Sequence, residues 1–155
     1  GLPSKLPFQI YTKNSRYVPD ENKAKEASAC SRYMAVVNGS GLCLFGVFLG
    51  VTRTPTFDWL NAVTGWNKAP EEYLEIGWRI QTLRQAFNIR HGIDPNGNKL
   101  HDRALGRPPL VEGANKNRTV LIEEMMRGYW SQLGWDESTG RPLPETLERL
   151  GIEAP

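Results

Sequence analysis

Apolar side chains recur every three or four positions along most of the chain, which is the spacing of one face of an α-helix. The first such run predicts a helix that begins near Lys23, where the side chains of Asp20 and Asn22 can accept the unpaired amides of a first turn. The glycine-rich segment 38–41 ends this helix, because glycine reaches backbone conformations that are strained for other residues. The predicted inward face consists of Ala27, Cys30, Met34 and Val37.

Two short elements follow. Residues 42–49 are apolar without a pattern, which fits a buried helix or a buried strand, and the helical neighbourhood favours a helix. A further short helix is predicted to open at Thr54-Pro55, with proline in the first turn, and to stop at Gly65. Its predicted inner face consists of Phe57, Leu60 and Val63.

The strongest helical pattern runs from Pro70 to Arg90 and ends before Gly92. Glu71 and Glu72 lie in its first turn, where the helix dipole favours negative charge. Its predicted inner positions are Tyr73, Ile76 or Gly77, Ile80, Leu83 and Phe87.

The remainder of the chain predicts a long loop and two more helices. Residues 93–117 hold three prolines and several glycines and lack a sustained period, so they are expected to form a loop that is functional or packed on a neighbour. Thr119 is expected to cap a helix that Gly134 closes, and 144–150 form a last helix before Gly151. The expected inner positions of the first of these helices are Ile122, Met125 or Met126, Tyr129 and Leu133.

No strand-like alternation of useful length appears, so the predicted fold class is all-α, an irregular multi-helix domain. A length of 155 residues suits one compact domain, 1–155, with an extended N-terminal segment over 1–19. The chain does not begin with methionine, which hints at a fragment of a larger protein.

Composition excludes several classes of function. The chain has 19 basic and 17 acidic residues and a net charge of +2, which gives no reason to expect a nucleic-acid partner. Its longest apolar stretch, 42–51, is about half the length that crosses a bilayer, and glycines interrupt it. Two cysteines do not make a disulfide framework. We therefore expect a cytoplasmic protein that is not bound to a membrane.

The most unusual segment is Asn38-Gly39-Ser40-Gly41-Leu42-Cys43. A cysteine that follows a glycine-rich turn at a helix start lies among exposed amides, which favour the thiolate. A thiolate can ligate iron in an iron–sulfur cluster, and the amides of such a turn can bind an anion. From the residues alone a buried structural cysteine is the more common arrangement. One cysteine cannot hold a cluster, and Cys30 adds at most one ligand.

Other candidates have simpler explanations. Cys30 lies on the apolar face of its helix and is expected to be a core thiol. Residues 94–98 resemble the opening of a calcium loop, but glycine is missing at the sixth position and Leu105 occupies the twelfth, so a turn is expected. His91 and His101 lack a metal-ligand spacing and are expected at the surface. Three tryptophans are assigned to the core or an interface: Trp66, Trp130 and Trp135.

Three stretches, in order, are similar to the aldehyde ferredoxin oxidoreductase family, and together they cover the chain from about Asn22 to its end. The first is the turn 38–43 with Leu44-Phe45, which resembles the family's second Asp-x-x-Gly-Leu-Cys motif. The second is Thr64-Gly65-Trp66, then Glu71 through Gly77-Trp78-Arg79-Ile80, closing with Ala86-Phe87-Asn88-Ile89-Arg90. The third comprises Met125 to Tyr129, Gly134-Trp135-Asp136 and Pro144 to Gly151.

This resemblance implies an enzyme that oxidises aldehydes to carboxylic acids at a tungsten, sometimes molybdenum, bis-pyranopterin centre. Electrons would leave through a [4Fe–4S] cluster to ferredoxin. By position, Cys43 would be the fourth cluster ligand, between cluster and pterin. Asn38 and the backbone of Leu42 would contact a pterin, with Gly41 part of the same cofactor-binding turn.

Two positions depart from the family pattern. Asn38 stands where the family usually has aspartate, and an amide keeps an acceptor but lacks the charge that accepts strongly from two pterin N–H donors. Weaker or rearranged pterin binding is therefore expected. His91 stands where the family tends to carry an acid, which leaves the substrate open.

The other three cluster cysteines, the pterin-binding platform and the family's catalytic glutamate and histidine have no counterpart in the sequence. The chain alone is therefore expected to hold no cofactor, to be inactive, to depend on the remaining domains of a parent enzyme, and to self-associate through faces built for those domains. The alternative is a helical interaction module on the same scaffold without cofactor, which Asn38 and the apolar segment 42–49 motivate.

Overall fold

The computed structural model describes residues 17–50, 54–97 and 99–155, with no side-chain description for 48–50. It contains six helices in this part of the chain: α1 Glu21–Gly39, α2 Leu44–Gly50, α3 Thr56–Thr64, α4 Pro70–Arg90, α5 Ile122–Gln132 and α6 Pro144–Leu150. Two isolated bridges are present and no strand is formed within these ranges, which confirms the all-α class. Residues 1–16 of the expected N-terminal segment lie outside the described residues.

Helix α1 begins as expected but is buried on more sides than the pattern predicted. The Asp20 carboxylate accepts from the Lys23 amide at 2.8 Å, which confirms the N-cap. Of the predicted inward face, only Val37 is fully buried, whereas Tyr33, which the pattern left out, is 1% exposed. The reason is that α1 contacts α2, α4 and α5, so a single apolar stripe does not describe its buried surface.

The predicted buried faces of α3 and α4 are confirmed near the start of each helix and wrong near its end. Phe57 is buried, and Gly65 adopts a left-handed conformation that ends α3. Val63, Leu83 and Phe87 were expected inside, but they are 85%, 51% and 60% exposed. From Trp78 onward, the buried positions of α4 are instead Trp78, Thr82, Ala86 and Ile89.

The C-terminal elements mostly follow the prediction. Helix α6 has the expected bounds, and Gly151 adopts the left-handed conformation at its end. Thr119 does not cap α5; its hydroxyl donates to the Gly106 carbonyl at 3.4 Å, and α5 starts three residues later. Trp130 and Trp135 are core residues, whereas Trp66 is about half exposed.

Two apolar clusters form the core, and α4 contributes to both. The tyrosine cluster contains Tyr33, Val36, Val37, Val47, Phe57 and Tyr73. The tryptophan cluster contains Trp78, Ala86, Trp130, Leu133, Trp135, Leu147, Leu150 and Ile152. The first part of α4 packs in the tyrosine cluster and the later part in the tryptophan cluster, so the buried side of the helix changes along its length. A single periodic stripe of apolar residues therefore does not predict its buried positions.

Contacts of α1 with its neighbours join these two clusters. Gly77 of α4 lies against the backbone carbonyl of Arg32 in α1, where a Cβ would overlap that oxygen. The Arg32 guanidinium lies 4.7 Å from the centroid of the Trp78 ring and donates to the Gln132 carbonyl. Within the described ranges, no helix is both long enough and apolar enough to span a membrane.

Candidate functional site

The turn 38–43 ends α1 with a pair of nested backbone hydrogen bonds. The Leu42 amide donates to the Val37 carbonyl at 3.2 Å, and the Gly41 amide donates to the Asn38 carbonyl at 3.3 Å. Gly41 sits between them at φ 73°, the left-handed conformation that this helix ending requires. The turn therefore has one defined geometry, which fixes the direction in which the chain leaves α1 for Cys43.

These hydrogen bonds occupy the amides that the sequence offered to an anion. The Ser40 amide also donates back into α1, to the Val36 carbonyl at 2.9 Å. With the amides of Ser40, Gly41 and Leu42 all engaged, the expected anion-binding turn is not formed by these three groups. Any backbone contact of Leu42 with a cofactor is left to its carbonyl oxygen.

Cys43 follows the turn directly and occupies the N-cap position of α2. Its carbonyl accepts the first helical hydrogen bond, from Val47 at 3.0 Å, while its side chain is exposed. This exposure removes the alternative of a buried structural cysteine. Gly46 faces it, and a Cβ there would lie 3.7 Å from the Cys43 Cβ. Gly46 therefore adds no side chain beside the cysteine.

Val47 anchors the short helix that carries Cys43. It is 3% exposed and packs in the tyrosine cluster one helical turn after the cysteine. Tyr33 of this cluster also shares a buried hydrogen bond of 3.0 Å with the hydroxyl group of Thr56, at the start of α3. The start of α2, which carries the exposed thiol, is thus anchored to the core through Val47. Periodicity did not single out Tyr33 or Gly46 for this support.

Cys30 differs from Cys43 in its surroundings. It is half-buried on α1, and burial raises the pKa of its thiol above the ordinary 9.0. The expected core thiol is therefore only partly buried, and Cys30 belongs to neither apolar cluster. Both cysteines are free, so no disulfide joins them.

The described residues supply the exposed thiol of Cys43 but no metal-binding group around it. Across ranges 17–50, 54–97 and 99–155, no group of three or more His, Cys, Asp or Glu side chains is arranged to hold a metal ion. An exposed thiol at a helix start is chemically able to serve as one ligand of an iron–sulfur cluster. The other ligands of such a cluster would have to come from elsewhere.

The lesser candidates behave as surface or turn residues. His91 and His101 are exposed, as expected, and the His101 Nδ1 accepts from the Arg103 amide at 3.1 Å. The Asp94 carboxylate accepts from the backbone amide of Asn96 at 3.0 Å, which is the local turn expected there.

Comparison with known proteins identifies the class to which this helical scaffold and its cysteine turn belong. The family model described as aldehyde ferredoxin oxidoreductase, domains 2 and 3, matches residues 3–152. The chain therefore belongs to the aldehyde ferredoxin oxidoreductase family.

Individual relatives carry the comparison further. Over 143 residues, or 92% of the chain, it is 36% identical to the tungsten-containing aldehyde ferredoxin oxidoreductase of Pyrococcus abyssi. Over 118 residues, or 76% of the chain, it is 39% identical to the protein of the same name from Pyrococcus furiosus and 38% identical to that of Thermococcus kodakarensis. The matches cover 23%, 19% and 19% of those proteins, so the chain spans about a fifth of the length of these relatives.

Proposed function

We propose that this chain is the C-terminal part of a tungsten- or molybdenum-dependent oxidoreductase that converts aldehydes to carboxylic acids and passes electrons to ferredoxin in the cytoplasm. Family membership and the tungsten-containing relatives support the class of enzyme. The exposed Cys43 at the end of a rigid turn is the observation that carries the role of this chain.

In this proposal Cys43 is one of four thiolate ligands of a [4Fe–4S] cluster. The bis-pyranopterin metal supplies the two-electron oxidation of the aldehyde, and the cluster supplies one-electron transfer. The turn 38–43 positions the thiolate, since its two nested hydrogen bonds and Gly41 leave it little freedom. Burial of Val47 below the thiol holds α2 in place.

Asn38 and Leu42 would approach the pterin from the same turn. The Asn38 side chain is exposed, and its amide can offer one acceptor and two donors. The Leu42 carbonyl is the backbone group left for a pterin N–H, because the Leu42 amide donates to Val37. A neutral amide binds pterin N–H groups less strongly than a carboxylate does, so we expect Asn38→Asp to strengthen retention of the pterin.

The test is metal analysis of the intact protein that carries this chain, prepared without oxygen. We expect about four iron atoms per chain, with one tungsten or molybdenum. Cys43→Ala should lower the iron content and abolish aldehyde oxidation with a viologen acceptor. Cys30→Ala is the matched control, because this half-buried thiol is not placed to bind a cluster, and it should keep both iron and activity.

Iron and activity that survive Cys43→Ala would contradict the proposal. Aldehyde oxidation by the 155-residue chain alone would contradict it as well, because one thiolate cannot retain a cluster.

The second candidate is a helical interaction module that has kept the scaffold without the cofactors. Phe45, 76% exposed next to Cys43, and the missing charge at Asn38 favour it. An intact protein that contains neither iron nor tungsten after anaerobic preparation would support this candidate over the first.

A further inference from the structure

The sequence contains two Asn-Gly pairs, Asn38-Gly39 and Asn96-Gly97, and the structure places them in different backbone settings. An asparagine before glycine is prone to lose its side-chain amide, because glycine has no side chain to hinder its own backbone nitrogen as it attacks the asparagine Cγ. Asn38-Gly39 ends α1, whereas Asn96-Gly97 lies in a turn after α4. The chain therefore presents the same chemistry once in a helix and once in a loop.

The turn that contains Asn96 is held by local hydrogen bonds at the surface. The Gly97 amide donates to the Asp94 carbonyl at 2.9 Å, and the Asn96 side-chain amide donates to the Ser138 carbonyl at 3.0 Å. Asn96 and Gly97 are both exposed, so these bonds can be exchanged for bonds to water when the turn opens. A local opening of this kind lets the Asn96 Cγ approach the Gly97 nitrogen, as the reaction requires.

The same rotation at Asn38 is restrained by the end of α1. The three backbone amides that follow the pair, those of residues 40–42, all donate back into α1. A rotation that brought the Asn38 Cγ onto the Gly39 nitrogen would redirect the chain and break these bonds together. It would also move α2, which Val47 anchors in the tyrosine cluster. Opening at Asn38 therefore costs more free energy than opening at Asn96.

We propose that Asn96 is a deamidation site of the folded protein and that the end of α1 protects Asn38 from the same reaction. The Gly97 nitrogen gives up its proton and bonds to the Asn96 Cγ, the Cγ–Nδ2 bond breaks, and ammonia leaves with that proton. The product is a five-membered succinimide, which one water molecule opens at either carbonyl to aspartate or isoaspartate. One water is consumed and one ammonia is released, so no oxidant or reductant takes part.

The reaction alters one wall of a cavity of about 400 Å³ beside α5, which Asn96, Glu137 and Ser138 help to line. A carboxylate at position 96 has no N–H to donate to the Ser138 carbonyl. The hydrogen bond that ties the loop after α4 to the loop between α5 and α6 is then lost, and two acceptors face each other. Deamidation therefore adds a negative charge to this wall and releases one loop from the other.

The test is to age the intact protein that carries this chain in mildly alkaline buffer, both folded and in denaturant. Peptide mapping by mass spectrometry follows the conversion of amide to carboxyl at each pair, and enzymatic isoaspartate methylation detects the rearranged product. In the folded protein Asn96 should react at least about tenfold faster than Asn38, the ratio given by a difference of about 1.4 kcal/mol in activation free energy. In denaturant the two rates should approach each other, because the fold no longer distinguishes the two pairs.

Substitutions test the effect on the loops. Asn96→Asp reproduces the aspartate product and should speed hydrogen exchange in the loop between α5 and α6. Asn67→Asp, at an exposed asparagine between α3 and α4, adds the same charge elsewhere and should leave that exchange unchanged. Asn96→Gln should show no conversion at position 96, because glutamine would have to close a larger ring.

Two results would overturn the assignment of the site: no conversion at Asn96 in the folded protein, or equal rates at Asn96 and Asn38. Hydrogen exchange in Asn96→Asp that matches the unchanged protein would refute the release of the loop.

Discussion

Gly77 lies where α4 crosses the backbone of α1, against the Arg32 carbonyl. Replacement of Gly77 by alanine would place a methyl group on that oxygen, and the two helices would have to separate. We expect Gly77→Ala to lower the free energy of unfolding by about 2 kcal/mol or more, measured by chemical denaturation.

Gly39 provides the control for this substitution. A Cβ at Gly39 would lie 3.6 Å from the Ile80 side chain, which is an ordinary contact. Since alanine is a better helix former than glycine, Gly39→Ala should be neutral or stabilising by about 0.5 kcal/mol. An unfolding free energy that falls equally in both variants would show that the α1–α4 crossing is not as close as described.

Asp136 provides a pH prediction. Hydrogen bonds from Ser138 and then Thr139 lower the pKa of its carboxyl from 3.8 to about 2. A lowered folded pKa means that the charged form stabilises the fold above the unfolded value and that this stability is lost as the pH falls through the folded one. The chain should therefore lose stability on going from about pH 5 to pH 2 partly through Asp136.

The measurement is the unfolding free energy across that interval for the unchanged chain and for Asp136→Asn. The variant should show a shallower pH dependence, because its amide does not titrate. Asp102→Asn, an exposed carboxylate in another loop, is the control. An Asp136→Asn curve that parallels the unchanged one would refute the assignment.

The turn that ends α1 depends on the left-handed conformation of Gly41. A Cβ at this position would meet no atom within 4 Å, so alanine would cost only backbone strain. We expect Gly41→Ala to lower the free energy of unfolding by about 1 kcal/mol, and Gly41→Asn to lower it less, because asparagine tolerates this conformation. Thermal unfolding of the two variants side by side would test this order.

The same turn shows what local patterns predict well. The stops at Gly41, Gly65 and Gly151 were visible in the sequence, because a helix ending in a left-handed residue favours glycine and involves only neighbouring residues. The start of α5 was not visible in the sequence. The Thr119 hydroxyl donates to the Gly106 carbonyl instead of capping α5, and the spacing of residues does not reveal this contact within a long loop. Local sequence patterns therefore predicted the ends of the helices better than their buried faces.

Large apolar side chains remain on the surface of the described residues. Phe45, Val63 and Val111 are each at least 76% exposed, and Trp59 is about half exposed. Because the relatives are several times longer than this chain, we expect these side chains to pack on other parts of the parent enzyme. The isolated chain should therefore self-associate as its concentration rises.

Sedimentation velocity over a concentration series would test this expectation. The double variant Phe45→Ser/Val63→Ser should shift the chain toward monomer, while Ala62→Ser, a smaller exposed residue of α3, should leave the distribution unchanged. A chain that stays monomeric at the highest concentration would contradict the expectation.

For the candidate site, the sequence alone located the cysteine turn and left the state of the thiol open. The residue types in 38–43 were enough to predict a tight turn before Cys43, and the family resemblance gave it a role. Whether the thiol was buried or exposed depended on how α2 packs, and the structure shows that Val47 takes the buried position while Cys43 faces outward. The cavity beside α5 had no sequence signal, because its lining comes from segments distant in the chain.

The sequence by itself determined that the chain is helical, where most helices begin and end, and which family it resembles. These features depend on periodicity, capping and turn residues, all of which act over a few positions. Tertiary structure alone decided which faces are buried. Helix α4 packs into two apolar clusters, and α1 contacts three other helices. The buried side of each helix is therefore set by the elements that pack against it and not by its own periodicity.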